Sequence, residues 1–430
     1  MHVIIVGAGL AGLACARMLE RWKVDITIIE AADGVGGRVR SDYADGYIFD
    51  RGFQVVFDTY PAVLRQLDLA ALDLHVFAPG AIICLPGKQV VLTDPLRDPA
   101  WADRLAATLA GSISPLDKLR TLQLATELRL QTVDEMLAGP DETSYDFLKR
   151  RGFSDRIIDL FFRPFYGGVL FDRTLATSAK CLRFDFKMLA EGRACLPAAG
   201  MGAISAQLAA PLLERGLVHL NTRVADLLHR EARVAGVRLA NGQELFADAV
   251  VVATPAPEAA RLSGLPMPTE ERGTVTLYYS GDEPLYQGPK LLLNPLPDAF
   301  INNAQLLTNV VPAYAPPGKH LLSATVIGIP ALNDDELFRQ GLRDLHRMVA
   351  GNMLAQAALA SYQPLRLYRI PFAQFGQPPG LHPQLPDNRS GRAGLYFAGE
   401  FTEASSLNAA MISGEKCAAN IAEDLAGYGV

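Results

Sequence analysis

The chain has 430 residues, half of them hydrophobic and a fifth charged, with 37 Gly and 28 Pro. Forty basic against 46 acidic side chains leave a net charge of −6, which argues against nucleic acid as the main partner. The high apolar fraction excludes a disordered chain, and at roughly 100–200 residues per domain the length suggests two domains.

No apolar run reaches the roughly 18–20 uncharged residues that cross a bilayer. The cysteines Cys15, Cys84, Cys181, Cys195 and Cys417 are scattered, without a CxxC or Cys/His cluster. That pattern suggests neither a disulfide framework nor a metal site, and it reads as the reduced thiols of a cytoplasmic protein. The apolar stretch Met1 to Leu19 lacks a basic n-region and is interrupted by glycines, so it is read as a first strand and helix rather than a secretion signal.

His2 to Val6 is a β-branched run suited to a strand buried on both faces of a parallel sheet. Gly7-Ala8-Gly9-Leu10-Ala11-Gly12 follows, then a helical pattern from Leu13 to Arg21, then a strand from Val24 to Ile29 that ends in Glu30. Each part has a physical task in dinucleotide binding. Gly7 permits the tight turn, Gly9 lets the backbone approach a pyrophosphate, and Gly12 lets helix and strand pack closely. Leu10 and Ala11 open a helix whose free N–H groups and dipole favour phosphate. Glu30, 18 residues beyond Gly12, is placed to accept from a ribose diol. Ala31 and Ala32 offer no Arg to a 2′-phosphate, which disfavours NADP.

Gly36-Gly37-Arg38-Val39-Arg40-Ser41 separates FAD from NAD. A second glycine pair brings backbone to the ligand again, and Arg38 can pair with the same pyrophosphate. Tyr47 to Gln54 then reads as a strand broken at Gly52, with Phe53 and Gln54 beside the place for a flavin ring.

VGAGLAGL, the Glu30 strand end and GGRVRS resemble the flavin amine oxidase and phytoene desaturase superfamily, which includes protoporphyrinogen oxidases and carotenoid desaturases. FDRGFQVVFDTYP is similar to its desaturase-like members. The resemblance resumes at Leu196 to Gly202, Asn221 to Val224, Val250 to Pro255 and Tyr396 to Glu400, so it touches both ends and the middle of the chain. It implies an α/β fold: a discontinuous Rossmann-like FAD-binding domain from residues 1–60, 200–260 and 385–430, beside a substrate domain of mixed β-sheet plus helices from 61–199 and 261–384. It also implies that Gly399 and Glu400 meet the flavin side of the cofactor and that Val224 meets the adenine through its backbone. The helix beginning at Asn408, Ala409, Ala410 and Met411 would point its N-terminus at the flavin pyrimidine, stabilising charge that develops on reduction.

Between these motifs, apolar residues recur at helical spacing over Trp101 to Leu109, Leu116 to Leu137, Tyr145 to Arg151 and Ile157 to Phe162. The segment 101–137 lacks a basic face, so an ordinary domain helix is read there rather than membrane-surface docking. Residues 203–215 read as a helix and Val218 to Leu228 as one strand. Asn241-Gly242 joins a hairpin, Ala249 to Ala253 is a buried strand, and 334–357 and Ala409 to Leu425 are helical. Thr274 to Tyr279 and Leu321 to Ile329 alternate as strands of a second sheet, and Tyr278, Tyr279 and Phe300 are substrate-pocket candidates.

Two features depart from the amine oxidases. Thr402 to Asn408 contains no aromatic residue where those enzymes carry a sandwich, and Thr274 stands where they place a Lys. No Cys lies where some of them attach flavin, which implies non-covalent FAD, and Cys417 reads as buried packing. The expected activity is hydride transfer from an allylic C–H bond, or one next to nitrogen, of a mainly apolar small molecule, with O2 or another electron acceptor. No catalytic side chain, metal site or oligomeric state is legible. A flavoprotein isomerase or mutase without net oxidation and a non-catalytic FAD-binding protein are the alternatives.

Overall fold

The computed structural model describes residues 2–93 and 113–426. The helix expected over Trp101 to Leu109, and with it the start of the 101–137 segment, lies outside the described residues.

A five-stranded parallel sheet carries the glycine-rich turn near the start of the chain. Its strands run in the order Val218–His219, Asp25–Ile29, His2–Val6, Ala249–Val252, Leu395–Phe397. They come from three separate stretches of chain. The apolar, largely β-branched runs of the three central strands follow from cover on both faces, since helices Leu10–Arg21, Gly202–Glu214 and Leu407–Ala426 supply one cover and a three-stranded antiparallel sheet helps supply the other. The first and last helices pack against each other with Cys15 and Cys417 wholly buried between them. Burial, and then the neighbouring Cys15, push the Cys417 thiol well above its ordinary range.

The single strand expected over Val218 to Leu228 is two. Val218–His219 closes the edge of the parallel sheet, Asn221 turns the chain with φ +53°, and Val224–Arg230 enters the antiparallel sheet with Arg233–Leu239 and Glu244–Phe246. The strand composition is continuous in the sequence, and only the positive φ at Asn221 breaks it.

The second large sheet has seven strands in the order Gln363–Phe375, Glu271–Gly281, His320–Ile327, Asn303–Leu306, Leu291–Leu293, Ala81–Leu85, Lys88–Leu92. One face carries Val275, Leu277, Tyr279, Leu322, Ala324 and Val326 and packs under helices Asp334–Met348 and Met353–Leu359. The chain expected to be helical over 334–357 is thus two helices, parted around Gly351 (φ +86°). A further helical layer contains Pro115–Leu130, Val133–Leu137, Ser144–Arg150, Arg163–Leu170 and Ala179–Glu191, with a π-helical turn at Ile158–Phe162. No helix among the described residues is long and apolar enough to cross a membrane.

Candidate active site

Parallel strands bring their carboxyl ends to one edge, and the sequence motifs meet there. Gly7 follows His2–Val6 with φ +108°, and its N–H donates to Ile29 O at 2.8 Å. A Cβ on Gly7 would sit 2.7 Å from Ala253 O. One on Gly12 would collide with Gly7 O, so helix and strand touch there by backbone alone. Gly9 is different, because a Cβ there meets nothing within 4 Å. Ala11 N–H has no protein acceptor among the described residues, whereas Gly9 and Gly36 form a parallel bridge that draws Leu10 N–H towards Gly36 O. The second glycine loop lies against the first: Gly36 N–H donates to Ala8 O at 2.8 Å, and a Cβ on Gly37 would find only Gly9 Cα, at 3.5 Å.

Glu30 accepts from Ala8 N–H and Ala32 N–H, both at 2.7 Å. Its carboxylate therefore joins the first glycine turn to the Ala31-Ala32 corner and retains lone pairs for a ligand diol. Thr222 N–H donates to Glu30 O at 2.8 Å, which holds the 221–224 segment beside this corner. Val224 itself is buried and pairs with Leu239.

Arg38 does something the sequence alone did not indicate. Its guanidinium stands 2.6 Å from Glu400 Oε1 and donates to Ala373 O at 2.9 Å. The motif near the N-terminus and the one near the C-terminus are thus clasped by an ion pair. The contact with Oε1 is close but not aligned as a hydrogen bond, so this buried oxygen keeps acceptor capacity. Gly399 N–H donates to Ser413 Oγ at 2.8 Å, which fixes the strand end that carries Glu400.

Gly52 has φ +101°, with Ile370 packed where a Cβ would lie, and Phe53 makes an edge contact with Phe77 at 6.2 Å. Gln54 donates to Arg38 O at 3.0 Å, and its carbonyl oxygen is buried with no protein partner. At the start of the last helix, Ser406 Oγ accepts from Ala409 N–H at 3.0 Å, whereas the N–H groups of Leu407 and Asn408 have no protein acceptor among the described residues. The Asn408 side chain faces elsewhere, accepting from Ala62 N–H at 3.0 Å, and Met411 is wholly buried.

The pocket candidates divide. Adjacent residues of a strand point to opposite faces. Tyr279 therefore lies under helix Asp334–Met348, its hydroxyl donating to Phe338 O at 3.0 Å. Phe300 is on the same side, its N–H donating to Asp344 at 2.6 Å. Neither belongs to the site edge, so both expectations are corrected. Tyr278 faces the other way and donates to Asp50 O at 2.7 Å, beside the Gly52 turn. Thr274 donates to Val326 O at 2.8 Å, so its hydroxyl is already engaged in the sheet.

Asp50 holds this junction together. It accepts from Ser41 Oγ at 2.5 Å, Met201 N–H at 2.8 Å and Tyr314 OH at 2.9 Å. Burial raises its carboxyl above the usual range, and those bonds oppose the shift. A second buried acid escaped the sequence reading altogether: Asp185, on helix Ala179–Glu191. Burial pushes it up to about 7. An acid between two phenylalanines of an amphipathic stretch was the available signal.

The open cradle at Gly9 and Gly37, the free N–H groups at the helix starts, the unpartnered carbonyl oxygen of Gln54 and the spare acceptor capacity of Glu400 fit a dinucleotide that carries a flavin. A 15-cis-phytoene desaturase from Glycine max is 23% identical over 99% of this chain and 80% of its own length. Among solved structures, an oxidoreductase from Methanosarcina mazei superposes with a TM-score of 0.74 at 18% identity, covering 98% of this chain and 100% of that one. A putrescine oxidase gives 0.71 at 20% identity, covering 98% and 99%. The structural likenesses establish the fold. The family of flavin containing amine oxidoreductases matches residues 10–422, and the chain belongs to it as a flavin-dependent oxidoreductase.

Proposed function

We propose that this chain holds FAD non-covalently and removes hydride from an activated C–H bond, allylic or next to nitrogen, of a largely apolar small molecule. The reading rests on the Arg38–Glu400 clasp, which joins the two terminal motifs, beside the open Gly9–Gly37 cradle that Arg38 directly follows in the chain. FAD, when bound, supplies the two-electron redox step, and the protein supplies binding, orientation and electrostatics. Ala11 N–H with Gly9 and Gly37 would receive the pyrophosphate, and Glu30 the adenosine ribose beside Val224. Arg38 and Glu400 would hold the flavin side, with Gly52, Phe53 and Gln54 bordering the ring. The dipole of helix Leu407–Ala426 favours negative charge at its N-terminus. The cytoplasm is the proposed compartment, and O2 or another acceptor would reoxidise the enzyme.

The test is a visible spectrum of the purified protein, followed by denaturation. Flavin bands, with FAD released into the supernatant, support the reading. Flavin that stays with the pellet overturns non-covalent binding, and absence of flavin overturns the cofactor. Anaerobic bleaching by an amine, a porphyrinogen or an apolar polyene would then assign the reaction. Turnover only after pre-reduction would establish an isomerase instead.

A further inference from the structure

Residues 373–377 end strand Gln363–Phe375 and lead the chain out of the seven-stranded sheet. Ala373 O accepts from Arg38, and Gln374 Nε2 donates to Val169 O at 2.8 Å, on helix Arg163–Leu170. Gly376 N–H donates to Glu270 O at 2.9 Å. Gln377 then makes two bonds to two separate parts of the protein. Its main-chain oxygen accepts from Ser178 N–H at 2.8 Å, and its side-chain Oε1 accepts from Ser405 N–H at 3.0 Å.

The main-chain bond fixes one end. Ser178 is the N-cap of helix Ala179–Glu191, and its Oγ donates to Asp141 at 2.7 Å. Asp141 also accepts from Gly380 N–H at 3.0 Å, so the chain is seated on the helical layer on both sides of Pro378-Pro379. The prolines fix their own φ and restrict the residue before them, which is Gln377. Gln377 is also buried. Its backbone therefore has little freedom to follow a loop that moves, and the side chain acts as a fixed arm.

That arm reaches the loop between the turn Glu400–Thr402 and helix Leu407–Ala426. Among the described residues, the other hydrogen bonds of residues 403–406 stay inside 400–416. Glu403 N–H donates to Glu400 O, and Ser406 N–H to Ala404 O. Ser406 accepts from the N–H groups of Ala409 and Ala410, and Lys416 donates to Glu403. The loop is thus folded onto its own helix. The Gln377 amide oxygen is the hydrogen-bond acceptor that sets it against the second sheet and the helical layer.

The loop joins Glu400 to the start of the last helix, the two features placed at the flavin side by the proposed function. An N–H that loses its acceptor stays unpaired at a cost or finds a new one, and this loop re-pairs only by moving. A shift at Ser405 displaces both ends, because four residues separate the turn from the helix. We propose that Gln377 is a positioning residue for the flavin: from its seat on the helical layer it sets Glu400 and the N-terminus of helix Leu407–Ala426 towards the ring. This rests on the flavin oxidoreductase reading. The helix dipole favours negative charge at that N-terminus, so a displaced helix start penalises reduced flavin more than oxidised flavin.

The experiment measures the midpoint potential of the bound flavin by anaerobic reduction against a reference dye, with the FAD dissociation constant and melting temperature of the same samples. Gln377→Met removes the accepting oxygen at similar volume and should weaken FAD by about fivefold, the scale of one hydrogen bond lost. Reduced flavin should lose about threefold more than oxidised flavin, which for two electrons moves the potential negative by about 15 mV. Gln377→Asn falls one methylene short of Ser405 N–H and should change in the same direction; it carries the test if Gln377→Met does not fold. Gln374→Met removes the neighbouring bond to Val169 O and should lower the melting temperature while leaving the potential at the parent value. Gln377 variants that melt lower yet keep the parent potential and FAD affinity overturn the inference, as does a Gln374→Met variant shifted as far as they are. A parent chain purified without flavin defeats the underlying reading instead.

Discussion

Asp50 and Asp185 are both buried aspartates, yet the two regions that hold them treat them oppositely. At the junction of the sheets, Asp50 receives Ser41, Met201 and Tyr314, and its own carbonyl receives Tyr278. On helix Ala179–Glu191, Asp185 has no donor among the described residues, and its charge adds to the burial that raises the phenols of Tyr60 and Tyr166. A carboxylate saturated with donors is a structural tie, because its lone pairs are spent. One without donors bears its desolvation cost uncompensated when ionised, so it holds its proton to higher pH. The nucleotide side shows both conditions at once: Glu400 is clasped by Arg38 and still has an oxygen with spare acceptor capacity.

The largest effect is expected where the nucleotide side is closed by backbone contact. Gly12→Ala drives a methyl into Gly7 O and should cost about 1–3 kcal/mol or more, with loss of flavin. Gly9→Ala meets no protein atom and should leave the melting temperature of the apoprotein unchanged while weakening flavin binding at least tenfold. Equal melting temperatures for both variants would refute the division of labour between these glycines.

The aspartates should respond in opposite directions. Asp185 titrates near 7 folded against about 3.9 unfolded, so the native state holds the extra proton between those values. Its contribution is therefore most favourable below about pH 4 and is lost as pH rises through about 7. Asp185→Asn should flatten that decline and be more stable than the parent at pH 8, by up to a few kcal/mol on the order of the shift. Asp50→Asn places an amide donor among groups that already donate and should lose about 1–3 kcal/mol at the same pH. Denaturant unfolding of both variants at pH 5 and pH 8 checks the signs, and a destabilised Asp185→Asn at pH 8 would break the comparison.

Glu400→Gln removes the charge opposite the Arg38 guanidinium, which keeps Ala373 O and the face of Phe372. It should weaken flavin retention by about tenfold, corresponding to about 1.4 kcal/mol, as read by fluorescence on dilution. The smallest effect is expected at Tyr279→Phe. Loss of its bond to Phe338 O should cost about 1 kcal/mol of stability and leave flavin and substrate binding unchanged. A change in substrate affinity would return Tyr279 to the site.

Local constraint explains which features were legible. A glycine turn after a β-branched strand, followed by a helix and an acid, is specified by residues that are neighbours in the chain, and Gly7, Gly9 and Gly12 stand as those short-range rules require. The hairpin at Asn241-Gly242 is equally local. The break at Asn221 was hidden because strand composition runs through it. Tyr279 and Phe300 were misplaced for a related reason: aromatic residues on strands are visible in sequence, but the face they occupy depends on which helices cover the sheet.

By itself the sequence determined the strand, glycine turn and helix at the start of the chain, because these follow from steric and hydrogen-bonding rules acting over a few residues, and its spaced motifs determined the flavin family. Only the tertiary structure decided that Arg38 reaches Glu400, that Asp50 is saturated and that Asp185 is bare. Each of those facts depends on groups far apart in the chain. Whether a buried charge is paired is a property of the assembled interior and of no segment within it.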